Sequence, residues 1–405
     1  MSPTAELVLV ANARMPSQRA QSLQVAQVAA AFQRAGVSTT LLHARRFPTP
    51  ELPPGQDLFD YYAVPPGARP AVEALFCLDW IDRVPRRLQF LPARLQELSF
   101  ARAAARRVRR GFPCALVLSR EAETARSLVR GGHRAVFLEV HRVPGGRLRR
   151  RWLEQAAAGC PGVVAISEGV AEDLAELGVP RDKLVVEHDG LEAARFAAPD
   201  GARRAREEAR RRLALDSAAR VVVYTGGLLE WKGVDLLVEA ARTLPELQFV
   251  IAGGMDADVE RLRSLAAGLP NVRLDGFQPP DRVADYLFAG DLGVVPNRSW
   301  PAISSRYTSP LKVFEALAAG LPLVASDLPS LRAILEPDRD AVLVEPDDPA
   351  ALARGIARLA RDDRLRARLA RRARQRAPRH TWDARARRLL DWMEARLAAG
   401  TGAAA

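Results

Sequence analysis

Short apolar runs alternate along the chain with longer stretches whose apolar residues recur at helical spacing. Near the N-terminus, Leu7–Ala11 predicts a buried strand, Gln21–Ala35 an amphipathic helix and Ser38–His43 a second strand. Further strands are predicted at 115–118, 135–140 and 162–166. A repeated strand–helix–strand order is typical of a doubly wound parallel sheet.

A second series of the same kind follows a densely charged connector at 197–219. Its strands are predicted at 221–224, 248–252, 272–275, 292–296, 323–326 and 341–344, and its helices at 233–243, 259–267, 282–288 and 310–319. The expected fold class is therefore α/β, with two Rossmann-like doubly wound domains facing a central cleft. We predict domains at 1–196 and 197–380, followed at 381–405 by a helix and a disordered tail.

Composition narrows the class of protein without identifying it. Of 405 residues, 48% are hydrophobic and 27% charged, as in globular proteins. The three cysteines share no short spacing, which argues against a disulfide scaffold or a zinc site. Because no signal peptide or bilayer-length apolar run is found, we expect a cytoplasmic protein.

The net charge of +12 is concentrated in one region. Residues 83–151 contain 18 arginines and 4 acidic residues, and Leu91, Leu95 and Leu98 lie at helical spacing among them. Such a region suits a polyanion or an anionic membrane surface, which would place the protein at the inner face of a membrane. The alternative is that these arginines are solvated residues on surface helices.

The first chemical motif follows a predicted strand and contains Gly226, Gly227 and Lys232. Glycines let backbone approach a ligand, and the start of the next helix favours phosphate. The alternative is a tight turn with a surface lysine.

The second motif places Lys312 and Glu315 on one face of a helix that begins near Pro310. A carboxylate there could accept two hydrogen bonds from a vicinal diol such as a ribose, or it could form a surface ion pair with the lysine. The chain has only three lysines, and two of them fall in these motifs.

Taken together, VVVYTGGLLEWKGVDLLVEA, Gly253-Gly254 and PLKVFEALAAGLPLVASDLP resemble the donor-binding domain of family 4 retaining glycosyltransferases with the GT-B fold. EHDGLEAARF resembles the segment between that family's two domains. The resemblance is strongest from about residue 160 to 350. It implies that the N-terminal domain binds the acceptor and the second domain a nucleotide-sugar.

The resemblance also implies roles for individual residues. Lys232 would hold the donor diphosphate, Glu315 the ribose and Gln278 the base, while His141, after the strand at 135–140, would contact the donor sugar. His141, Lys232 and Glu315 are the catalytic candidates. The implied donor-binding set is Gly226, Gly227, Lys232, Gly253, Gly254, Gln278, Arg306, Tyr307, Pro310, Leu311, Lys312 and Glu315.

Two positions depart from the family pattern. Gly227 stands where an arginine often contacts the diphosphate, so Arg306 is the candidate replacement. Tyr307 stands where the family's E-x7-E pair has its first glutamate, which normally contacts the transferred sugar. For His141 the alternative role is that of a hydrogen-bonded structural residue.

The expected function is a metal-independent, retaining hexosyltransferase without a cofactor that uses a nucleotide-sugar, with UDP favoured over GDP. The acceptor would be a carbohydrate or a lipid-linked molecule in cell-envelope polysaccharide or glycolipid synthesis. The alternatives are a nucleotide-sugar epimerase of the same fold and a basic polyanion-binding protein. No nucleic-acid partner is expected, because the chain carries no recognised nucleic-acid module.

Overall fold

Strands that are apolar on both faces need cover from two layers, and the chain provides helices for both. The computed structural model describes residues 6–17 and 20–402. Within these residues the strands form one parallel sheet of seven and another of six. They belong to two compact units, the first up to His188 and again from Trp382, the second from Asp189 to Thr381.

Unit 1 contains the seven-stranded sheet, ordered β3-β2-β1-β4-β5-β6-β7. Its strands are β1 Glu6–Arg14, β2 Ser38–Arg45, β3 Ala71–Phe76, β4 Leu116–Ser119, β5 Val136–Val140, β6 Val163–Ala165 and β7 Leu184–Val186. Its helices are α1 Ala20–Arg34, α2 Leu58–Tyr61, α3 Phe90–Gly111, α4 Ala122–Arg130, α5 Arg147–Gly159 and α6 Glu168–Glu176. The order reverses beside β1, as in doubly wound folds.

Unit 2 contains the six-stranded sheet, ordered β10-β9-β8-β11-β12-β13. Its strands are β8 Val221–Thr225, β9 Gln248–Ala252, β10 Val272–Gly276, β11 Leu292–Val295, β12 Leu323–Ser326 and β13 Ala341–Val344. Its helices are α7 Ala202–Arg212, α8 Val234–Arg242, α9 Asp256–Leu265, α10 Val283–Ala289, α11 Leu311–Ala319, α12 Pro329–Arg332, α13 Pro349–Arg361 and α14 Asp363–Arg376. Successive residues of β8 belong to cores on opposite faces, Val222 and Tyr224 to one, Val221 and Val223 to the other.

The last helix, α15 Trp382–Gly402, belongs to unit 1. Trp392 packs edge-on against Phe137 of β5, with 5.6 Å between ring centroids. Asp383 pairs with Arg34 at the end of α1. From sequence we predict 381–405 as a separate segment, whereas in the structure its helix is part of the first unit. The tail predicted beyond this helix lies outside the described residues.

The division between the units lies eight residues before the predicted boundary of 196/197. Asp189 N–H donates to Ser309 Oγ at 2.8 Å, and Leu191 N–H donates to the His380 carbonyl at 2.8 Å. Leu191 and Phe196 are buried in a core of unit 2. These contacts tie residues 189–196 to the second unit.

The strands and helices predicted for the centres of both sheets are found, and the α/β class with two Rossmann-like domains is confirmed. In the part of the chain that the structure describes, no helix is long and apolar enough to cross a bilayer.

Candidate functional site

The glycine turns of unit 2 lie side by side at the carboxyl edge of its sheet. Gly226 follows β8 and Gly253 follows β9, and Gly226 N–H donates to the Ala252 carbonyl at 2.9 Å. Gly253 has a φ of +125°, and a Cβ there would lie 2.1 Å from the Gly226 carbonyl oxygen. Only glycine fits at position 253, so the absence of a side chain there allows the two loops to meet. Gly254 continues the second turn with a φ of +88°.

The two sequence motifs come together over this turn. A Cβ on Gly226 would lie 3.3 Å from Lys312 Nζ, although Lys312 is far along the chain on α11. Lys312 Nζ also lies 3.8 Å from the centroid of the Tyr224 ring. The Tyr224 hydroxyl donates to the Gly227 carbonyl at 2.6 Å and so fixes the turn.

Burial makes both lysines easier to deprotonate than exposed lysines. Lys232 Nζ lies 3.8 Å from the centroid of the Trp231 ring, and burial lowers the pKa of Lys232 to about 8. Burial and then the charge of Lys232 hold the pKa of Lys312 well below its usual value, and Glu315 opposes this only in part. Among the described residues, Lys312 Nζ has no hydrogen-bond partner. An anion placed at this turn would therefore favour the charged form of both lysines.

Glu315 lies one helical turn beyond Lys312 on α11. Burial raises the pKa of Glu315, while Arg195 and Lys312 act against that rise. Arg195 lies in the segment that enters unit 2 and was given no role from sequence. Burial also lowers the pKa of Arg195, which Glu315 opposes. Glu315 is therefore a buried carboxyl between two cations, and an added hydroxyl donor would favour its charged form.

The remaining predicted donor residues lie in loops of the same unit. Gln278 follows β10, and its Nε2 donates to the Asp275 carbonyl at 3.0 Å. Arg306 and Tyr307 end a short π-helical segment, with the guanidinium carbon 5.6 Å from the tyrosine ring centroid.

Pro310 caps α11, and Leu311 is the first residue of that helix. The first N–H groups of a helix are not used within its own repeat, so this helix start can offer donors to an anion. Val313 N–H already donates to the Pro310 carbonyl at 2.9 Å.

His141 lies in unit 1, just after β5. Its Nε2 lies 2.7 Å from Glu139 Oε1 and 2.8 Å from an Arg120 guanidinium nitrogen, and its Nδ1 lies 3.3 Å from the same nitrogen. With the proton on Nε2, the ring donates to Glu139 and accepts from Arg120 through Nδ1. The ring is 28% exposed, whereas the Glu139 side chain is 2% exposed.

Glu139 is held from the opposite side by the last helix. Arg385 of α15 donates to Glu139 Oε2 at 2.7 Å, and both side chains are almost fully buried. Burial alone would raise the pKa of Glu139, but Arg385, His141 and Arg120 hold it well below its usual range. A permanently charged carboxylate therefore fixes the orientation of the His141 ring.

The chain contains two Asp-x-Asp segments, a pattern that can bind a divalent cation. Asp256 and Asp258 lie in the first turn of α9, where Asp256 is exposed. Asp340 is buried and pairs with arginines of α14, and Asp338 pairs with one of α13. Over residues 6–17 and 20–402 there is no cluster of three His, Cys, Asp or Glu side chains placed to hold a metal ion.

The sequence missed the residues that support these groups: Tyr224 beneath Lys312, Arg195 beside Glu315, and Arg385 behind Glu139. Each meets its partner only in the folded chain, so no local pattern could have indicated the contact. The roles of the predicted site residues themselves stay predictions.

Comparison with known families covers most of the chain. Residues 205–376 match the model described as glycosyl transferases group 1, and residues 21–195 match glycosyltransferase family 4. D-inositol 3-phosphate glycosyltransferases are among the similar proteins. That of Xylanimonas cellulosilytica is 34% identical over 59% of this chain and 58% of its own length. That of Thermomonospora curvata is 32% identical over the same shares. The chain thus spans 58% of the length of these relatives.

Solved structures show the same fold at low identity. Anabaena Alr3699/HepE in complex with UDP superposes with a TM-score of 0.72 and 16% identity, over 96% of this chain and all of that one. Sucrose-phosphate synthase of Thermosynechococcus elongatus gives 0.73 and 20%, over 97% and 99% of the two chains.

Proposed function

The chain belongs to the group 1, family 4 glycosyltransferases, and on that premise we propose that it transfers a hexosyl group from a nucleotide-sugar to an acceptor. The observation that carries the proposal is the pair of desolvated lysines beside the Gly226 turn. Two neighbouring lysines, of which Glu315 offsets Lys312 only in part, form a site for a dianionic group such as a diphosphate. The UDP in the complex of the structurally similar Alr3699/HepE is in keeping with this, and UDP-sugars are the favoured donors.

In this proposal each group of the site has one task. Lys232, Lys312 and the first N–H groups of α11 would hold the diphosphate and stabilise the charge that develops as it leaves. Glu315 would accept hydrogen bonds from the ribose hydroxyls, and Gln278 would lie beside the base. Arg306 would supply the phosphate contact that Gly227 cannot.

We propose that transfer retains the anomeric configuration by substitution on the face that the leaving group occupies. The departing phosphate would take the proton of the acceptor hydroxyl, so that no side-chain base and no metal ion is required. His141, oriented by Glu139, would contact the transferred sugar. Tyr307 in place of a glutamate would then act on sugar selection and leave the leaving-group chemistry intact.

The proposed acceptor is a carbohydrate or a lipid-linked molecule, in synthesis of a cell-envelope polysaccharide or glycolipid. D-inositol 3-phosphate, named for the relatives, is a phosphorylated polyol and belongs in the first acceptor panel. The proposed place of action is the cytoplasm or the inner face of a membrane.

Thermal unfolding with UDP-, GDP- and ADP-sugars tests the donor site. We expect one nucleotide series to raise the Tm of the wild type but not of Lys232→Ala or Glu315→Ala. Lys183→Ala is the matched control, because Lys183 lies in unit 1 and donates to backbone carbonyls of Ala158 and Cys160. If no nucleotide stabilises the protein, or the control responds like the site variants, the donor site is misassigned.

Transfer itself is tested by NMR of the product made from the stabilising donor. The product linkage should keep the donor's anomeric configuration, and excess EDTA should leave the rate unchanged. Inversion, or loss of activity that Mg²⁺ restores, would contradict the mechanism.

A further inference from the structure

Large apolar side chains are exposed together on one part of unit 1. Phe90 is 72% exposed, Phe76 67% and Leu91 64%, although apolar residues of this size are usually buried. With three others they form what we call the apolar rim: Phe47, Phe76, Trp80, Leu88, Phe90 and Leu91. Leu91 and Leu95 of the leucines predicted for a membrane face are exposed, and Leu98 is half-buried.

The rim residues come from the ends of β2 and β3, from the connection that leads into α3 and from the start of that helix. Phe76 ends β3 opposite Arg45 at the end of β2, and Phe47 follows two residues later. The Arg83 guanidinium carbon lies 5.3 Å from the centroid of the Phe47 ring. Because Leu78 N–H donates to Ser99 Oγ of α3 at 2.9 Å, the segment that carries Trp80 is fixed against the helix that begins at Phe90.

The rim lies at the carboxyl edge of the seven-stranded sheet. Phe76 is the last residue of β3, and α3 begins in the connection that follows it. His141 follows β5 and Arg120 follows β4, so both lie at this same edge of the parallel sheet. The rim is therefore on the side of unit 1 where its candidate site residues are.

Positive charge surrounds the rim. Arg45, Arg83 and Arg87 are exposed beside it. The helix α5, which contacts α3 through the Arg149–Glu97 pair, adds exposed Arg147 and Arg150. Three carboxylates of this region are paired with further arginines, Asp79 with Arg46, Asp82 with Arg14 and Glu97 with Arg94. The surface around the apolar side chains is thus strongly cationic.

Aromatic and aliphatic side chains enclosed by arginines match an anionic lipid bilayer. Phenylalanine and tryptophan suit the headgroup region, leucines gain by entering the acyl boundary, and arginines meet the lipid phosphates. Four of the six rim side chains are rings on which the bases of a single-stranded nucleic acid could stack. Leu88 and Leu91 gain nothing from stacked bases but do gain from the acyl region, and this favours the bilayer.

We propose that the apolar rim docks unit 1 on an anionic membrane surface. Docking does not depend on the proposed glycosyl transfer, because it uses neither the lysine site nor His141. If both proposals hold, an acceptor carried in the bilayer is delivered at the edge where His141 lies.

Co-sedimentation with phosphatidylcholine vesicles, with and without 30% phosphatidylglycerol, tests the docking using the full chain. We expect the wild type to bind only the anionic vesicles and to dissociate at high salt. Phe90→Ser/Leu91→Ser should reduce partitioning at least tenfold by removing inserted apolar surface. Arg83→Ser/Arg87→Ser should reduce it by about tenfold or more through lost charge.

Arg203→Ser/Arg204→Ser on α7 is the matched control, because both side chains are highly exposed and lie in unit 2. It should bind vesicles as the wild type does, and unchanged thermal unfolding of every variant shows that each is folded. Absence of vesicle binding, or an equal loss in the control, overturns the proposal. Binding to single-stranded oligonucleotide but not to vesicles, lost in the rim variants, would identify a polyanion site instead.

Discussion

Binding of a nucleoside diphosphate should take up protons, because the proposed site holds its lysines partly neutral while empty. The pKa of Lys232 is about 8, and that of Lys312 is held well below its usual value. An adjacent diphosphate favours the charged form of both groups and returns each pKa toward 10 or above. Protons must therefore enter the complex, and affinity must fall as pH rises through 8.

The size of the effect follows from the pKa of Lys232. At pH 8 about half of Lys232 is neutral, so about 0.5 proton is taken up, rising to about 0.9 at pH 9. Lys312 adds up to about one further proton, because its pKa is also held well below its usual value. Above pH 8 the dissociation constant for UDP should rise by up to tenfold per pH unit for each lysine that must be charged.

Titration calorimetry of UDP binding between pH 7.5 and 9 measures both the number of protons taken up and the dissociation constant. This pH range lies above the phosphate's own pKa of about 6, so the ligand itself takes up or releases few protons on binding. Buffers of different ionisation enthalpy at one pH give the number of protons from the slope of heat against ionisation enthalpy. Lys232→Met and Lys312→Met should each abolish the proton uptake that the replaced lysine contributes, and Lys183→Met should leave the proton uptake unchanged.

A binding heat that does not depend on the buffer at pH 8, with an affinity that stays constant to pH 9, would refute the reasoning. It would mean that UDP binds without meeting either ammonium group. UDP binding that persists at full affinity in both lysine variants would refute it equally.

Three further results are expected. Gly253→Ala should weaken UDP binding more than tenfold in calorimetry, because its Cβ would lie 2.1 Å from the Gly226 carbonyl oxygen. Gly227→Ala should change the affinity less than twofold, because nothing lies within 4 Å of a Cβ there. Equal effects of the two variants would contradict the close approach of the two glycine turns. Glu139→Gln should lower the free energy of unfolding in urea by about 3 kcal/mol, because buried Arg385 loses its charged partner, and an unchanged midpoint would contradict this. Lys312→Met should raise the urea midpoint at pH 7. Because the pKa of Lys312 is lowered in the folded protein, the unfolded chain binds more protons below pH 10.5, and the stability of the wild type rises with pH. The stability gained by Lys312→Met should therefore vanish near pH 10.5. A gain that does not depend on pH would contradict this reasoning.

The centres of both sheets could be predicted from sequence, and the edges of the first could not. Central strands such as β4 and β8 are buried on both faces and read as unbroken apolar runs. The missed strands, β3 and β7, are the two edges of the seven-stranded sheet. β3 is mostly exposed and β7 has three half-buried residues, so neither carries the pattern that identifies a buried strand.

The same contrast holds at the candidate site. Gly226, Lys232 and Glu315 stand in local motifs whose spacing already indicates phosphate and diol chemistry. Arg195 and Arg385 do not, because each acts on a carboxylate that lies far along the chain and is brought near only by folding. The groups proposed to contact the ligand could therefore be predicted from sequence. The charged residues that shift the pKa of those groups or orient them could be identified only from the structure.

The return of α15 to the first unit makes the second an insertion within it, with consequences for synthesis at the ribosome. Residues 189–381 can complete their own sheet as soon as they emerge, and their two ends already adjoin through Leu191 and Thr381. The unit that begins first must wait, because Arg385 and Trp392 are made only after the whole of the second unit. Until then Glu139 lacks Arg385 and Phe137 lacks its contact with Trp392. We therefore expect the second unit to complete its fold before the first.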